Sequence, residues 1–131
     1  MQKGMRVVLA GLVALSILAI TPVAFASSGK GREVIREGSC TGTSDWKLKA
    51  KNEDGRIEVE FEVDQNVAGD TWAVRLKDNG MVFFKGQRTT QPPSGSFEVR
   101  RLTDNLAGTD HIVGKAMNLS TGEVCRGALN F

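Results

Sequence analysis

The sequence has little of what catalytic and metal sites usually need. Of its 131 residues, one is histidine, two are cysteine and none is tyrosine. A single histidine, His111, disfavours zinc sites built from several imidazoles. It would have to share a Ser-His-Asp triad with Asp110, but neighbouring residues of a strand point to opposite faces, and no G-x-S-x-G turn exists. The sequence therefore predicts a protein that is not an enzyme and binds neither a metal nor a cofactor.

An excess of charge of one sign is also missing once the first 26 residues are set aside. They combine basic Lys3 and Arg6, an apolar run from Val7 to Ile20 and the A-x-A site Ala24-Phe25-Ala26, which predicts a secretory signal peptide cut after position 26. Two of the 17 basic residues lie in it, leaving 15 basic against 15 acidic residues. No basic patch is indicated, which argues against a nucleic-acid partner. The apolar run is too short for a comfortable membrane span, which favours a cleaved signal over an anchor. We therefore expect a secreted, extracellular chain with no membrane association after cleavage.

No helical periodicity follows the signal peptide. Instead, apolar and charged residues alternate from Asp45 to Asp64, DWKLKAKNEDGRIEVEFEVD, on either side of Asp54-Gly55. Alternation around Asp-Gly predicts a β-hairpin with one apolar and one charged face. A two-residue type I′ turn at Asp54-Gly55 fixes which residues lie opposite each other. A four-residue turn would still place each Lys opposite a Glu, with the pairs shifted by one. The pairs predicted for the two-residue turn are Lys51 with Glu58, Lys49 with Glu60 and Lys47 with Glu62.

The rest of the mature chain divides into short strands separated by turn signals. Residues 27–32 are expected to be a flexible lead and residues 33–131 a single β-sandwich domain. Further strands are predicted at 33–40, 71–77, 81–85, 96–102, 111–118 and 124–131. With about seven or eight short strands, the fold class is all-β. The pattern favours a two-sheet antiparallel, immunoglobulin-like sandwich, with a small β-barrel as the alternative.

A resemblance to a known group supports this architecture. The segment GTDHIVGKAMNLSTGEVC, residues 108–125, resembles the final hairpin of secreted bacterial immunoglobulin-like domains. The resemblance implies membership of the small secreted, actinobacterial-type proteins with immunoglobulin-like or fibronectin III-like sandwiches, a largely uncharacterised group. The chain departs from antibody-type domains because it has no tyrosine corner and no cysteine on the penultimate strand.

The two cysteines of an exported chain predict one disulfide, Cys40 to Cys125. If every strand reverses direction, both thiols fall at the same end of the sandwich. Closing a loop of about 86 residues stabilises the fold by roughly 4.5 kcal/mol in the chain-entropy model. A catalytic thiol is disfavoured in an oxidising compartment.

Two loops that combine Asp, Asn and Gly, residues 64–70 and 104–110, raise the alternative of calcium binding. The first matches the opening D-x-N-x-x-G of an EF-hand loop, but Ala68 and Arg75 occupy two of the ligand positions. Asx-turns with a glycine at positive φ explain both loops equally well.

The longest irregular loop is predicted at Gly86 to Gly95, at the disulfide end of the sandwich. Adaptable polar loops on a rigid scaffold often carry recognition. Of the consecutive Phe83 and Phe84, one is expected to be partly exposed, since neighbours on a strand face opposite ways. The residues predicted to contact a ligand are Gln87, Arg88, Thr89, Thr90 and Gln91.

These features favour a non-catalytic extracellular binding or interaction module that is a monomer. Its expected partner is an extracellular protein or a cell-envelope polymer. One alternative is a carrier of a small apolar ligand, resembling the antibiotic-binding apoproteins with immunoglobulin-like folds, which usually have a second disulfide that is missing from this sequence. A secreted protease inhibitor, suggested only by Pro92-Pro93, is another.

Overall fold

The structure, a computed structural model, describes residues 31 to 131, and these residues form eight strands without a helix. The all-β prediction is confirmed. The predicted signal peptide and most of the flexible lead lie outside the described residues. No described segment is a helix of the length and hydropathy needed to cross a membrane. The strands are β1 (Glu33–Ser39), β2 (Asp45–Glu53), β3 (Arg56–Asp64), β4 (Thr71–Asp78), β5 (Met81–Thr89), β6 (Ser96–Asp104), β7 (His111–Asn118) and β8 (Val124–Asn130).

The β2–β3 hairpin has the predicted register. Asp54 and Gly55 adopt φ values of 47° and 78°, as a type I′ turn requires. Lys51 pairs with Glu58, Lys49 with Glu60 and Lys47 with Glu62. On the opposite face of the hairpin most of the apolar side chains are completely buried, including Leu48 and Ala50 of β2 and Phe61 and Val63 of β3.

Two antiparallel four-stranded sheets make up the fold, in the orders β1-β2-β3-β6 and β5-β4-β7-β8. They do not close into a barrel, so the sandwich prediction is confirmed over its alternative. If β2 to β8 are compared with immunoglobulin strands, β2-β3-β6 take the places of A, B and E, and β5-β4-β7-β8 those of C′, C, F and G. Strand D has no counterpart, and β1 is additional.

The core lies between the sheets and is filled from both. Trp72, Val74 and Leu76 of β4 point inward and are at most 2% exposed. The Trp72 ring lies 6.1 Å from that of Phe97 on β6, which joins the two sheets through an aromatic contact.

Cys40 and Cys125 form the predicted disulfide, with their Cα atoms 4.3 Å apart. Beside the bond, the backbone N–H of Thr41 donates to the carbonyl of Val124 at 2.9 Å. The bond therefore joins the chain just after β1, in one sheet, to the start of β8, in the other.

The structure corrects the prediction for β5, which continues to Thr89. The prediction that Gly86 to Gly95 is the longest irregular loop is wrong, because Gly86 to Thr89 pair with β4. Four consecutive residues without an apolar alternation resemble a loop in sequence, but strand pairing with β4 overrides that local preference. The irregular part is reduced to residues 90–95.

The consecutive Phe83 and Phe84 both pack against the core. The β4–β5 register shifts between Leu76 and Lys77, so that Leu76 pairs with Phe84, Lys77 pairs with Val82, and Phe83 is an extra residue. An extra residue in one strand removes strict alternation. Both rings are consequently half-buried. The sequence had predicted that only one of them would be partly exposed.

Candidate functional site

The structure gathers the predicted loops at the disulfide end but does not place the predicted ligand-contacting residues on one loop. Gln87, Arg88 and Thr89 belong to β5, Thr90 is 1% exposed, and Gln91 pairs with Ser96. The loop is shorter than predicted, but a role for these five residues in binding stays a prediction. Of the five, Gln87 faces outward beside Ala73 of β4.

Arg88, the only charge in the predicted loop, has a packing role. Its guanidinium lies 5.0 Å from the centre of the Phe84 ring, and that of Arg101 on β6 lies 4.7 Å from the same ring. A guanidinium over an aromatic face is attracted by the ring quadrupole and covers apolar surface with its stem. Arg88 and Arg101 thus close the open side of the sandwich between β5 and β6.

Internal hydrogen bonds occupy much of the polar surface at the disulfide end. The Asp70 carboxylate accepts from the amides of Asn118 at 2.9 Å and Gln65 at 2.6 Å. The hydrogen bond from Asn118, and after it the one from Gln65, lowers the pKa of Asp70 below its ordinary value. Gln65 in turn accepts from the Trp72 indole at 3.0 Å. These side chains serve to fix the loops on the sandwich.

The two calcium-loop candidates contain the turn features expected of ordinary connections. Asp64 accepts from the backbone N–H of Asn66 at 3.1 Å, and Gly69 and Gly108 have φ values of 102° and 89°. This is Asx-turn geometry in the first loop, with glycine supplying positive φ in both. Within residues 31 to 131, no three His, Cys, Asp or Glu side chains are grouped in a way that could hold a metal ion.

His111 and Asp110 are not arranged as a catalytic pair. Asp110 is completely buried, whereas His111 is exposed and its Nδ1 lies 2.8 Å from the Asn130 side-chain oxygen. The imidazole therefore has a surface partner on β8, and the neighbouring carboxylate faces the other way, as strand alternation predicts.

The outer face of the first sheet consists of paired charges. Lys49 contacts Glu60 at 2.8 Å, and Arg100 contacts the same carboxylate at 2.7 Å. Burial opposes ionisation of Glu60, but the hydrogen bond from Lys49 and the charges of Lys49 and Arg100 bring its pKa below the ordinary value. Lys51 pairs with Glu58 at 3.3 Å. The outward cations of this face therefore have carboxylates within ion-pair distance, except Lys47, which lies opposite Glu62 on β3.

The outer face of the second sheet is different because it carries cations without a carboxylate. Arg75 of β4 lies directly opposite Lys85 of β5 and Lys115 of β7, and Lys115 lies directly opposite Arg126 of β8. Lys85, Arg75, Lys115 and Arg126 therefore form one line across all four strands, which we call the cationic row. All four side chains are exposed. Lys77 lies on the same face, two residues along β4.

The cationic row lies in a groove of about 730 Å³ that is also lined by Lys77 and by several aliphatic side chains. On one side of the row are Ala73 and Met117, which pair with each other, and on the other side is Val113, opposite Lys77. Gln87 also lines the groove. No aromatic side chain is among the groove's lining residues.

The row is electrostatically unfavourable for the isolated fold. Like charges directly opposite each other on neighbouring strands are destabilising. Among the described residues, none of the ion pairs within 4.0 Å involves a member of the row. Lysines on edge strands commonly prevent aggregation, but Arg75 and Lys115 lie on the two central strands, β4 and β7. Protection of edge strands against aggregation therefore does not explain the cations at Arg75 and Lys115.

Sequence reasoning missed this face. A mature chain with equal numbers of acidic and basic residues was expected to interleave its charges, and that expectation holds for the β2–β3 hairpin but not for the second sheet. Each strand of that sheet carries one or two outward cations, and only the pairing of β4 with β7 aligns them. The signal available in the sequence was the absence of any Asp or Glu at the outward positions of β4, β5, β7 and β8.

No protein-family model, no curated protein and no solved structure matches this sequence significantly.

Proposed function

We propose that the chain is a secreted, non-catalytic binding module that holds an anionic polymer of the cell envelope on the outer face of its second sheet. The observation that carries this proposal is the cationic row. Four like charges lined up in a groove, without carboxylates on that face, are stabilised when a partner supplies the opposite charge.

The division of charge between the two faces supports a polyanion rather than a generic charged surface. On the outer positions of β1, β2, β3 and β6, acids outnumber bases, and several of them form ion pairs. A partner with negative charge is repelled by that face and attracted by the other. Long-range charge of this kind orients an approaching polyanion and raises its association rate.

The scaffold suits binding outside a cell. The disulfide is compatible with an oxidising compartment, and Arg75 and Lys115 project from central strands whose backbone is held on both sides. Side chains on such strands are positioned more rigidly than side chains on loops. A site of this kind needs no conformational change to receive an extended ligand.

Binding to a defined polyanion tests the proposal. We expect the mature protein to bind long-chain inorganic polyphosphate in low salt, and the double variant Arg75→Ser/Lys115→Ser to bind at least tenfold more weakly in fluorescence anisotropy. The reason is the loss of two of four aligned charges, each contributing through counterion release.

A matched control removes two cations from the other face. Lys47→Ser/Lys49→Ser changes the net charge by the same amount, and we expect it to bind polyphosphate as the wild type does or more tightly. The loop prediction is tested in the same assay by Arg88→Ala/Gln91→Ala. Loss of binding in that variant, with Arg75→Ser/Lys115→Ser unaffected, would move the site to the loop and overturn the proposal.

A further inference from the structure

We infer, on the basis of the proposed function, that the polymer is a linear polyol-phosphate chain that lies across the strands, along the cationic row, with about four phosphodiesters in contact. The direction follows from the register. Because the four cations occupy directly opposed positions on adjacent strands, the line that they form is perpendicular to the strands. Neighbouring strands are about 4.8 Å apart, so the row is about 14 Å long.

The shape of the site favours a single extended chain over a membrane surface. A membrane surface presents charge in a plane and attracts cations that protrude from the protein. In this sheet four of the five groove-lining cations form one line, within a groove that includes half-buried Ala73 and Val113. A chain one residue wide reaches all four charges at once.

The chemistry of the groove walls favours phosphodiesters joined by short carbon links. Beside the row lie the aliphatic side chains of Ala73, Met117 and Val113, together with a further cation, Lys77, and an amide, Gln87. A polysaccharide brings many hydroxyl groups, and each one buried without a partner costs free energy. A glycerol-phosphate chain has its charge on the phosphates and a short carbon link with a single free hydroxyl group between them. It therefore brings fewer hydroxyl groups to the aliphatic side chains than a polysaccharide does.

The same walls disfavour a single-stranded nucleic acid. Proteins that bind single strands combine a basic groove with aromatic side chains on which the bases stack, and that stacking is worth about 1–3 kcal/mol per base. The groove's lining residues include no aromatic ring. Arginine and lysine together remain well suited to phosphate, arginine through two parallel N–H donors and lysine as a compact charge.

Two quantities follow from a row of four. Affinity for glycerol-phosphate oligomers should rise steeply from two to four phosphates and change little from four to eight, because the row ends at Lys85 and Arg126. The logarithm of the binding constant should fall with the logarithm of salt concentration with a slope of about −3, the value expected when roughly four phosphates of a single chain are neutralised.

Isothermal titration of the mature protein with glycerol-phosphate oligomers of two, three, four and eight units tests the inference, with oligothymidylate, polygalacturonate and phosphatidylglycerol vesicles as competitors. We expect the four-unit oligomer to bind at least tenfold more tightly than the two-unit one and to resist all three competitors at equal charge concentration. Removing one end of the row with Arg126→Ser should shift the plateau to three phosphates. Lys47→Ser, a change of the same charge on the outer face of the other sheet, should leave the plateau at four.

The outcomes separate this inference from the proposed function. If oligothymidylate, polygalacturonate or the vesicles bind as tightly as the glycerol phosphates, or if affinity keeps rising beyond four units, the inference is overturned while the anionic site stands. If no anionic polymer binds, or if Arg75→Ser/Lys115→Ser binds as the wild type does, both fail.

Discussion

Asp78 and Asp110 are two carboxyl groups buried at the end of the sandwich opposite the disulfide. Asp78 is 8% exposed and Asp110 is completely buried. The Thr103 hydroxyl donates to one oxygen of Asp78 at 3.1 Å, while the other oxygen of Asp78 and both oxygens of Asp110 have no hydrogen-bond partner. Burial raises the pKa of Asp78, and the neighbouring Asp110 raises it further. The folded protein therefore holds a proton on Asp78 more tightly than the unfolded chain does.

The sign of the pH dependence follows from that raised pKa. The stabilising proton is fully present below the unfolded value, near 3.9 for an aspartate, and its contribution is lost as pH rises through the folded pKa. Asp78→Asn places a neutral amide there, which also offers Asp110 a donor. We expect the variant to be more stable than the wild type at pH 7 by about 1 kcal/mol, which in a domain of this size is roughly 4–8 °C in melting temperature.

Calorimetry across pH 3 to 8 measures this effect. The advantage of Asp78→Asn should shrink as the pH falls towards 3, because the raised pKa of Asp78 leaves that carboxyl protonated in the folded wild type. Asp54→Asn, in the exposed β2–β3 turn, serves as the control, and its effect should not follow the same pH course. A variant that is less stable than wild type at pH 7 would show that the pair favours the folded state in its ionised form.

Among the structural elements, β1, β2 and β8 are joined by the Trp46 ring. A Cβ atom built on Gly127 of β8 would lie 2.5 Å from this ring, and one built on Gly38 of β1 would lie 2.7 Å from it. Real side chains do not approach this closely, so both glycines leave space that the indole fills. Trp46 belongs to the apolar face that alternation predicts for the β2–β3 hairpin, whereas its contact with Gly127 depends on two strands far apart in sequence.

Gly127→Ala should destabilise the fold by about 1–3 kcal/mol because the added methyl group overpacks the contact with Trp46. Chemical denaturation gives the free energy of unfolding directly. In a Trp46→Leu background the same glycine substitution should cost much less, since the ring is gone, and a double-mutant cycle measures that coupling. Equal costs in both backgrounds would mean that the penalty arises elsewhere.

The cationic row makes an opposite prediction for stability at the level of the sheet. Lys115→Thr removes a like charge lying between Arg75 and Arg126 and introduces a good strand former, so it should stabilise the free protein by about 0.2–1 kcal/mol in low salt. Lys49→Thr on the other face removes the partner of Glu60 and should not stabilise. Melting temperatures at low and high salt check both, since screening should shrink the gain for Lys115→Thr.

Turn chemistry and alternation made most of the elements predictable from the sequence. Asp54-Gly55 and Asn79-Gly80 both adopt positive φ, as hairpin turns of these residues do, and they fix the β2–β3 and β4–β5 connections. The end of β5 was missed because Gly86 to Thr89 contain no alternation and are held only by pairing with β4. The cationic row was missed for a related reason, because it exists only when β4 lies beside β7.

At the scale of the whole molecule, the disulfide joins the two sheets at one end. The bond closes a loop with a sequence separation of 85 residues, so its loss releases much of the chain in the unfolded state. We expect Cys40→Ser/Cys125→Ser to lose about 2–5 kcal/mol in the free energy of unfolding while keeping its strand content at low temperature. Circular dichroism during thermal unfolding checks both. Free thiols in the natively purified wild type would contradict the bond itself.

The charge distribution of the whole molecule is what the proposed function depends on. A chain with equal numbers of acidic and basic residues after position 26 separates them by face, with ion-paired lysines and glutamates on one sheet and the cationic row on the other. The polar loops at the disulfide end, by contrast, satisfy one another through Asp70, Gln65 and Asn118. The proposed function therefore places recognition on a sheet face, although the sequence alone favoured a loop.

Mapping the contact surface by backbone amide NMR during titration with a linear phosphate polymer tests this assignment most directly. The account predicts that the largest shifts follow the cationic row across β5, β4, β7 and β8, centred on Arg75 and Lys115, and that they disappear in high salt. Shifts concentrated at residues 41–45, 90–91 and 119–123, with β4 and β7 unchanged, would contradict it and place the site on the loops at the disulfide end.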